Sequence, residues 1–298
     1  MGATITPSSP WAYESRAASV LRDFVSLTKP RITLLVLITA SAGIWLAPTS
    51  MQWTRIVWML LATSAGVAAA NTLNCWLERD SDRLMTRTAN RPLPAGRLEP
   101  RHALVFGLGL GLVSVVLASA VNWLTGILGA VALVMYVAVY TPMKQWSPKA
   151  LAIGAIPGAL PPLMGWTAST GTITWPALVL FGVMFVWQLP HFIAISIFRE
   201  SEYTRAGLKV LPAVRGLRNA KVQAAVFTAL LIPLSLALIP LGIGGALYFA
   251  SALVLGTWFF GWALYGLRPD ARERWARKFF HVSLLYLTIL LAVLMVDA

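Results

Sequence analysis

The sequence predicts an all-α integral membrane protein, a bundle of nine transmembrane helices with its N-terminus in the cytoplasm and its C-terminus outside. Three observations carry that expectation. Hydrophobic residues make up 58% of the 298 and charged residues only 12%, about half the charged share of a soluble domain. Apolar runs of roughly twenty residues, the length that crosses a bilayer core as a helix, recur along the chain. Of the 24 Lys and Arg residues, 23 fall in segments that these runs place on one side of the membrane, and only Arg55 falls on the other. The positive-inside rule makes the crowded side cytoplasmic. The net charge of +13 is therefore a mark of topology and calls for no nucleic acid.

The elements follow in order. The opening "MGATITPSSPWAYESRAAS" lacks a signal-peptide core and is too poor in Arg for a transit peptide, which points to a bacterial inner (plasma) membrane. Residues 1–25 read as a cytoplasmic tail and 26–298 as a single membrane-embedded domain. "LRDFVSLTKPR" is expected as an amphipathic lead-in along the membrane surface. Spans are expected at 32–48, 56–77, 102–121, 123–141, 150–167, 175–198, 222–241, 244–266 and 279–296. The fifth, "ALAIGAIPGALPPLMGWT", is rich in Gly and Pro, so it is expected to be kinked and packed against protein rather than lipid. Cys75 is the only cysteine, which excludes an intrachain disulfide.

Chemistry concentrates in three cytoplasmic segments. After the second span comes "NCWLERDSDRLMTRTANR". Its Asn74, Glu78 and Asp82 stand at i, i+4 and i+8, within about 80° and about 12 Å on a continuing helix. Like charges so placed repel unless something positive sits between them. Mg²⁺ fits, because it takes one or two carboxylates and completes its shell with water and phosphate oxygens; a solvated helix end balancing its own charges is the competing reading. Arg87 and Arg91 add fork-shaped donors suited to a polyanionic phosphate. After the sixth span, "FVWQLPHFIAISIFRESEYTR" holds Gln188 and His191 inside an apolar run and Glu200 and Glu202 beyond it. An ionisable side chain within a span marks a functional site, against the alternative of a buried imidazole bonded to a backbone carbonyl. Eleven residues separate His191 from Glu202, which puts them about 20° apart on an unbroken helix. "YTPMKQ", after the fourth span, contributes Tyr140 and Lys144, the lysine serving either phosphate or a snorkelling anchor.

These stretches resemble the UbiA superfamily of intramembrane prenyltransferases, and within it the haem O branch. The first family motif, N-x-x-x-D-x-x-x-D, matches Asn74, Glu78 and Asp82, with Glu in the middle as in that branch. "RTANRPL" and "WQLPHF" look like further branch signatures, with His191 where aromatic prenyltransferases carry an aspartate. Glu202, in "EYTRAG", stands where Asp is usual, and Gln145 where Arg is usual. The resemblance implies a nine-helix bundle around a cavity, farnesyl diphosphate as donor, haem B as acceptor, haem O and diphosphate as products, and Mg²⁺ as cofactor. It implies that Asn74, Glu78, Asp82 and Glu202 hold metal, that Arg87, Arg91, Lys144 and Tyr140 hold diphosphate, and that Trp187, Gln188 and His191 shape the haem pocket. His191 then orients haem or the quenching water, with iron ligation as the alternative. Membrane lipid is the surroundings, and a haem A synthase or terminal oxidase assembly the expected downstream partner. Competing functions are a prenyltransferase for an aromatic acid and a non-catalytic haem carrier or transporter.

Overall fold

The computed structural model describes residues 10–298, with side chains from residue 18 onward. Of the expected tail, residues 1–9 lie outside the described residues. All regular structure among the described residues is helical: α1 (Pro10–Thr28), α2 (Pro30–Trp45), α3 (Trp53–Leu77), α4 (Arg79–Asp82), α5 (Pro100–Val121), α6 (Trp123–Val134), a π turn (Met135–Tyr140), α7 (Thr141–Met143), α8 (Ala150–Thr170), α9 (Trp175–Phe198), α10 (Glu200–Arg205), α11 (Leu211–Arg215), α12 (Leu217–Leu236), α13 (Ala246–Gly266) and α14 (Glu273–Asp297). Eight helices are long and apolar enough to cross a membrane, or nine when the bent pair α1–α2 is taken as one span.

A bend of 42° separates the expected lead-in, in α1, from α2. Pro30 has no N–H, and its ring disfavours helical geometry at the residue before it. Lys29 accordingly adopts a left-handed conformation, φ 49° and ψ 67°. The Thr28 carbonyl, freed from the helical ladder, accepts from Thr33 Oγ1 at 3.3 Å and Asn71 Nδ2 at 3.5 Å, so α3 holds the bend in place.

The spans pack as a closed set, α3 on α5, α5 on α6, α6 on α8, α2 on α8, and α9 against α8, α12 and α14. The Gly- and Pro-rich α8 sits at the centre: 72% of its apolar window is buried, against 22% for the span at 123–143. Between helices in lipid there is little hydrophobic drive, so small residues that admit close backbones matter. Gly43 and Gly165 serve this way, because a Cβ on either would run into the backbone of the facing helix, at Pro162 and Ala40. Asn122 makes the one-residue turn from α5 to α6. Its Oδ1 accepts from Thr125 N at 2.9 Å, and its Nδ2 donates to Thr167 O at 2.8 Å.

The expected seventh span ends at Leu236 rather than at 241, and two helix starts differ from the sequence expectation for a common reason. α14 starts at Glu273 rather than near 279, because its first turns are amphipathic: Arg277 pairs with Glu273 at 3.8 Å while Trp275 and Ala276 are buried. α12 likewise starts at Leu217 rather than at 222. A hydropathy window averages such mixed turns out of the helix.

Candidate active site

At one end of the bundle a cavity of about 570 Å³ opens among α2, α3, the π turn, α9 and the segments that follow them. Its polar lining includes Asn74, Glu78, Asp82, Arg87, Arg91, Tyr140 and Lys144. The three segments singled out by the sequence meet here. Met85, Tyr203, Ala206 and Leu208 form a small apolar cluster joining the segment after α3 to the one after α9. Lys209 N donates to Lys144 O at 2.9 Å, tying in the third.

The helical ladder carries Asn74, Glu78 and Asp82 into register although α3 ends at Leu77. Glu78 N donates to Asn74 O at 2.9 Å and Asp82 N to Glu78 O at 2.8 Å, so the i, i+4, i+8 spacing survives the break. Asn74 Nδ2 donates to Thr141 Oγ1 at 3.2 Å, which leaves its Oδ1 free as an acceptor. Each carboxylate faces a cation. Lys144 Nζ lies 2.5 Å from Glu78 Oε1, and Arg91 Nη1 lies 2.7 Å from Asp82 Oδ2, with Asp82 almost wholly buried. Glu78 Oε1 is buried without a hydrogen bond of good geometry, so the lysine neutralises it but leaves lone pairs unused. Burial works against the Lys144 ammonium, yet Tyr140 and Glu78 together hold its pKa above the ordinary lysine value. Burial likewise opposes the Arg91 charge, and Asp82 outweighs it, leaving that pKa raised.

The π turn places the tyrosines. Pro142 cannot donate within the helix, and the wider turn it follows brings Tyr136 and Tyr140 to the cavity with ring centroids 5.3 Å apart. Lys144 Nζ sits 4.6 Å from the Tyr140 ring centroid. A Cβ at Gly154 would meet that ring, so the glycine makes room for it.

The remaining candidates lie elsewhere. Glu202 does not line the cavity; both its oxygens accept from Arg199 Nη1 at 3.2 Å. Arg199 departs from helical angles, φ −115° and ψ 11°, yet the ladder runs through it, Arg199 N donating to Ile195 O and Tyr203 N to Arg199 O, each at 3.0 Å. Their partners separate His191 and Glu202: the histidine is buried against Ser283 and the glutamate is held by Arg199. His191, Trp187 and Gln188 are buried behind the wall that Phe192, Ile195 and Ser196 present to the cavity. His191 Nδ1 meets Ser283 Oγ at 2.8 Å, and its ring lies 4.9 Å from Trp187 and 4.7 Å from Phe280. Trp187 Nε1 donates to Ser283 O at 2.7 Å, and Gln188 Nε2 to Met184 O at 3.0 Å. These residues face α14 and α8, and none of the three lines the cavity.

Sequence reasoning passed over Lys29, Tyr136 and Tyr203, all of which line it. Tyr136 stands four residues before Tyr140 and eight before Lys144, the spacing that had marked Asn74, Glu78 and Asp82. Burial pushes the Tyr203 hydroxyl pKa up, keeping it a neutral donor.

The donor set is hard oxygen, an amide and two carboxylates, which suits Mg²⁺. No three His, Cys, Asp or Glu side chains converge as a metal cage among the described residues. A divalent ion therefore fits here with phosphate oxygens completing its shell rather than in a site built of protein alone.

A family model described as the UbiA prenyltransferase family matches residues 36–285. The chain is 49% identical over 280 residues to the protoheme IX farnesyltransferase of Myxococcus xanthus, spanning 94% of this chain and 95% of that one. It is 42% identical over 287 residues to the protoheme IX farnesyltransferase of Symbiobacterium thermophilum, 95% and 96% of the two chains. The fold is that of a solved structure from work on digeranylgeranylglyceryl phosphate synthase in membranes, with a TM-score of 0.81, 18% identity, and 93% and 98% of the chains covered. It is also that of a UbiA homologue from Archaeoglobus fulgidus bound to GPP and Mg²⁺, with a TM-score of 0.66, 18% identity, and 91% and 99% covered. In fold, in sequence over most of its length and in the motif at Asn74, Glu78 and Asp82, the chain belongs to the UbiA prenyltransferase family.

Proposed function

We propose that this protein transfers the farnesyl group of farnesyl diphosphate to a vinyl group of haem B, with addition of water, giving haem O and diphosphate. The observation that supports it is the pairing, in one cavity beside apolar walls, of two carboxylates and an amide with Lys144 and Arg91. That is chemistry for a diphosphate with a greasy tail. The identity of the acceptor rests on the likeness to relatives named for it.

Asn74, Glu78 and Asp82 would hold Mg²⁺, which when bound supplies Lewis-acid neutralisation of a departing diphosphate. Glu202 would join only if Arg199 let it go. Lys144, Arg91 and Arg87 hold phosphate oxygens by charge-assisted bonds, with the Tyr140 ring beneath the lysine. Leu151, Phe192, Ile195 and Leu211 line the cavity and receive the isoprenoid. As the allylic C–O bond breaks, its electron pair leaves with the diphosphate and the vinyl π pair forms the new C–C bond. The cation left beside the macrocycle takes water and releases a proton. No proton is taken from an aromatic ring, so no carboxylate base is needed at the acceptor. His191 fits that difference: a stacked imidazole anchored by Ser283 behind the Phe192 wall, it would orient the acceptor, or the water that quenches it, only if that wall opened towards it.

In this reading the protein is a nine-span protein of a bacterial inner membrane, with the cavity end in the cytoplasm and Ala298 outside. It hands its product to a haem A synthase or terminal oxidase. A reporter active only outside the cytoplasm should work when fused after Ala298 and fail when fused within 83–97. The deciding experiment incubates purified protein with farnesyl diphosphate, Mg²⁺ and either haem B or 4-hydroxybenzoate. A haem product heavier by one farnesyl and one water supports the proposal; prenylated hydroxybenzoate alone would sink it.

A further inference from the structure

Glu78 holds Lys144 and Asp82 holds Arg91, so two of the cations meant for phosphate are already engaged. Lys29 is different. It lines the same cavity, within electrostatic reach of Glu78, Arg91 and Lys144, yet its ammonium has no ion pair or hydrogen bond among the described residues. Arg31, Arg87 and Lys209 also line the cavity but are exposed, whereas Lys29 is partly buried. Even partial burial of a cation without a partner carries a cost, and here a second is added.

Lys29 is the only non-glycine residue with positive φ among the described residues. It sits directly before a proline, at a 42° bend whose freed carbonyl is capped by Thr33 and by Asn71 from α3. Strain that the surrounding structure holds in place concentrates at functional sites. Unbroken helix geometry would carry α1 straight into α2; the break instead comes where the lysine lines the cavity together with the segments that follow α3 and the π turn.

We propose that Lys29 is a diphosphate-binding residue, aimed at the cavity by the left-handed turn between α1 and α2 and left without a protein partner so that a phosphate oxygen can take that place. This rests on the diphosphate reading of the cavity and extends it to the first helix, outside the three segments that carry the recognised motifs.

The test is calorimetric titration of inorganic pyrophosphate, with Mg²⁺ present, into the full-length protein in detergent, alongside thermal melts. Lys29→Gln and Lys29→Gly should each weaken pyrophosphate binding about ten- to a hundred-fold, the loss of one charge-assisted bond. Lys29→Arg should recover most of it. Lys29→Gly is the discriminating variant, since glycine adopts φ 49° without strain and should melt no lower than wild type. Pyrophosphate affinity within about twofold of wild type in Lys29→Gly would overturn the proposal. So would a loss of affinity accompanied by a lower melt in that variant, or one that Lys29→Arg fails to recover, since either marks a purely structural role. Failure of the wild type to bind pyrophosphate would reject the diphosphate site itself. Binding without any farnesylated haem would reject only the acceptor assignment.

Discussion

Asp82→Asn removes one charge from the centre of the site while keeping the side chain's shape. Asp82 is 1% exposed and its Oδ2 lies 2.7 Å from the Arg91 guanidinium, itself 24% exposed. Removing one member of a buried pair costs about 3–5 kcal/mol. Arg91 borders the cavity and keeps some solvation, which argues for the lower end, about 3 kcal/mol. At roughly 2–4 °C per kcal/mol for a chain of this size, the melt in detergent should fall by about 6–12 °C. Turnover per folded molecule should fall further, about a hundred-fold or more, because the carboxylate is also a proposed metal ligand worth several kcal/mol of charge stabilisation. The assay is pyrophosphate release at saturating farnesyl diphosphate, below the variant's melting range, beside Arg91→Gln and the double variant. The two stability losses should be non-additive by about 1–3 kcal/mol, as expected of contacting partners. Additive losses, or Asp82→Asn turning over at more than about a tenth of wild type, would refute the assignment.

Three further outcomes follow from named contacts. Lys144 has a raised pKa, so what its pairing contributes is complete below the ordinary lysine value and is lost only as pH rises through the folded one. The melting difference between wild type and Lys144→Met should therefore stay constant from about pH 6 to about pH 10, and a shrinking difference between about pH 7 and about pH 9 would contradict it. Ser283→Ala releases His191 Nδ1 and should weaken haem binding by about five- to tenfold while leaving pyrophosphate affinity unchanged; equal loss of both would show that the histidine supports the fold rather than the acceptor. Asp297 accepts from Gly245 N at 2.9 Å and Tyr248 N at 2.7 Å, capping α13. Asp297→Ala should cost about 0.5–2 kcal/mol in the melt and nothing in turnover.

Regular backbone geometry made part of the site legible, and side-chain partners decided the rest. Asn74, Glu78 and Asp82 were recoverable from spacing because their ladder hydrogen bonds run through the end of α3. His191 and Glu202 were projected by the same rule and came apart although ladder bonds run through Arg199 as well, because His191 packs against Ser283 while Arg199 holds Glu202. The apolar run expected as a span at 123–141 lies in a helix long and apolar enough to cross a membrane, Trp123–Met143, yet the π turn within it, which turns Tyr136 and Tyr140 to the cavity, has no periodic signature to read. Lys29 entered only the count of cations that fixes the topology, and the neighbouring Pro30 was the available hint of a break.

Composition, run length and charge placement alone indicated a helical membrane protein with its carboxylates and cations gathered in a few connecting segments, because lipid leaves a chain few ways to satisfy its backbone. The motifs alone indicated the family. Only the tertiary structure decided which charges meet. That Lys144 lies on Glu78 and Arg91 on Asp82 depends on how the segments after α3 and the π turn fold together at the end of the bundle. Ion pairing reaches only a few ångströms, so it is set by that packing and not by distance along the chain.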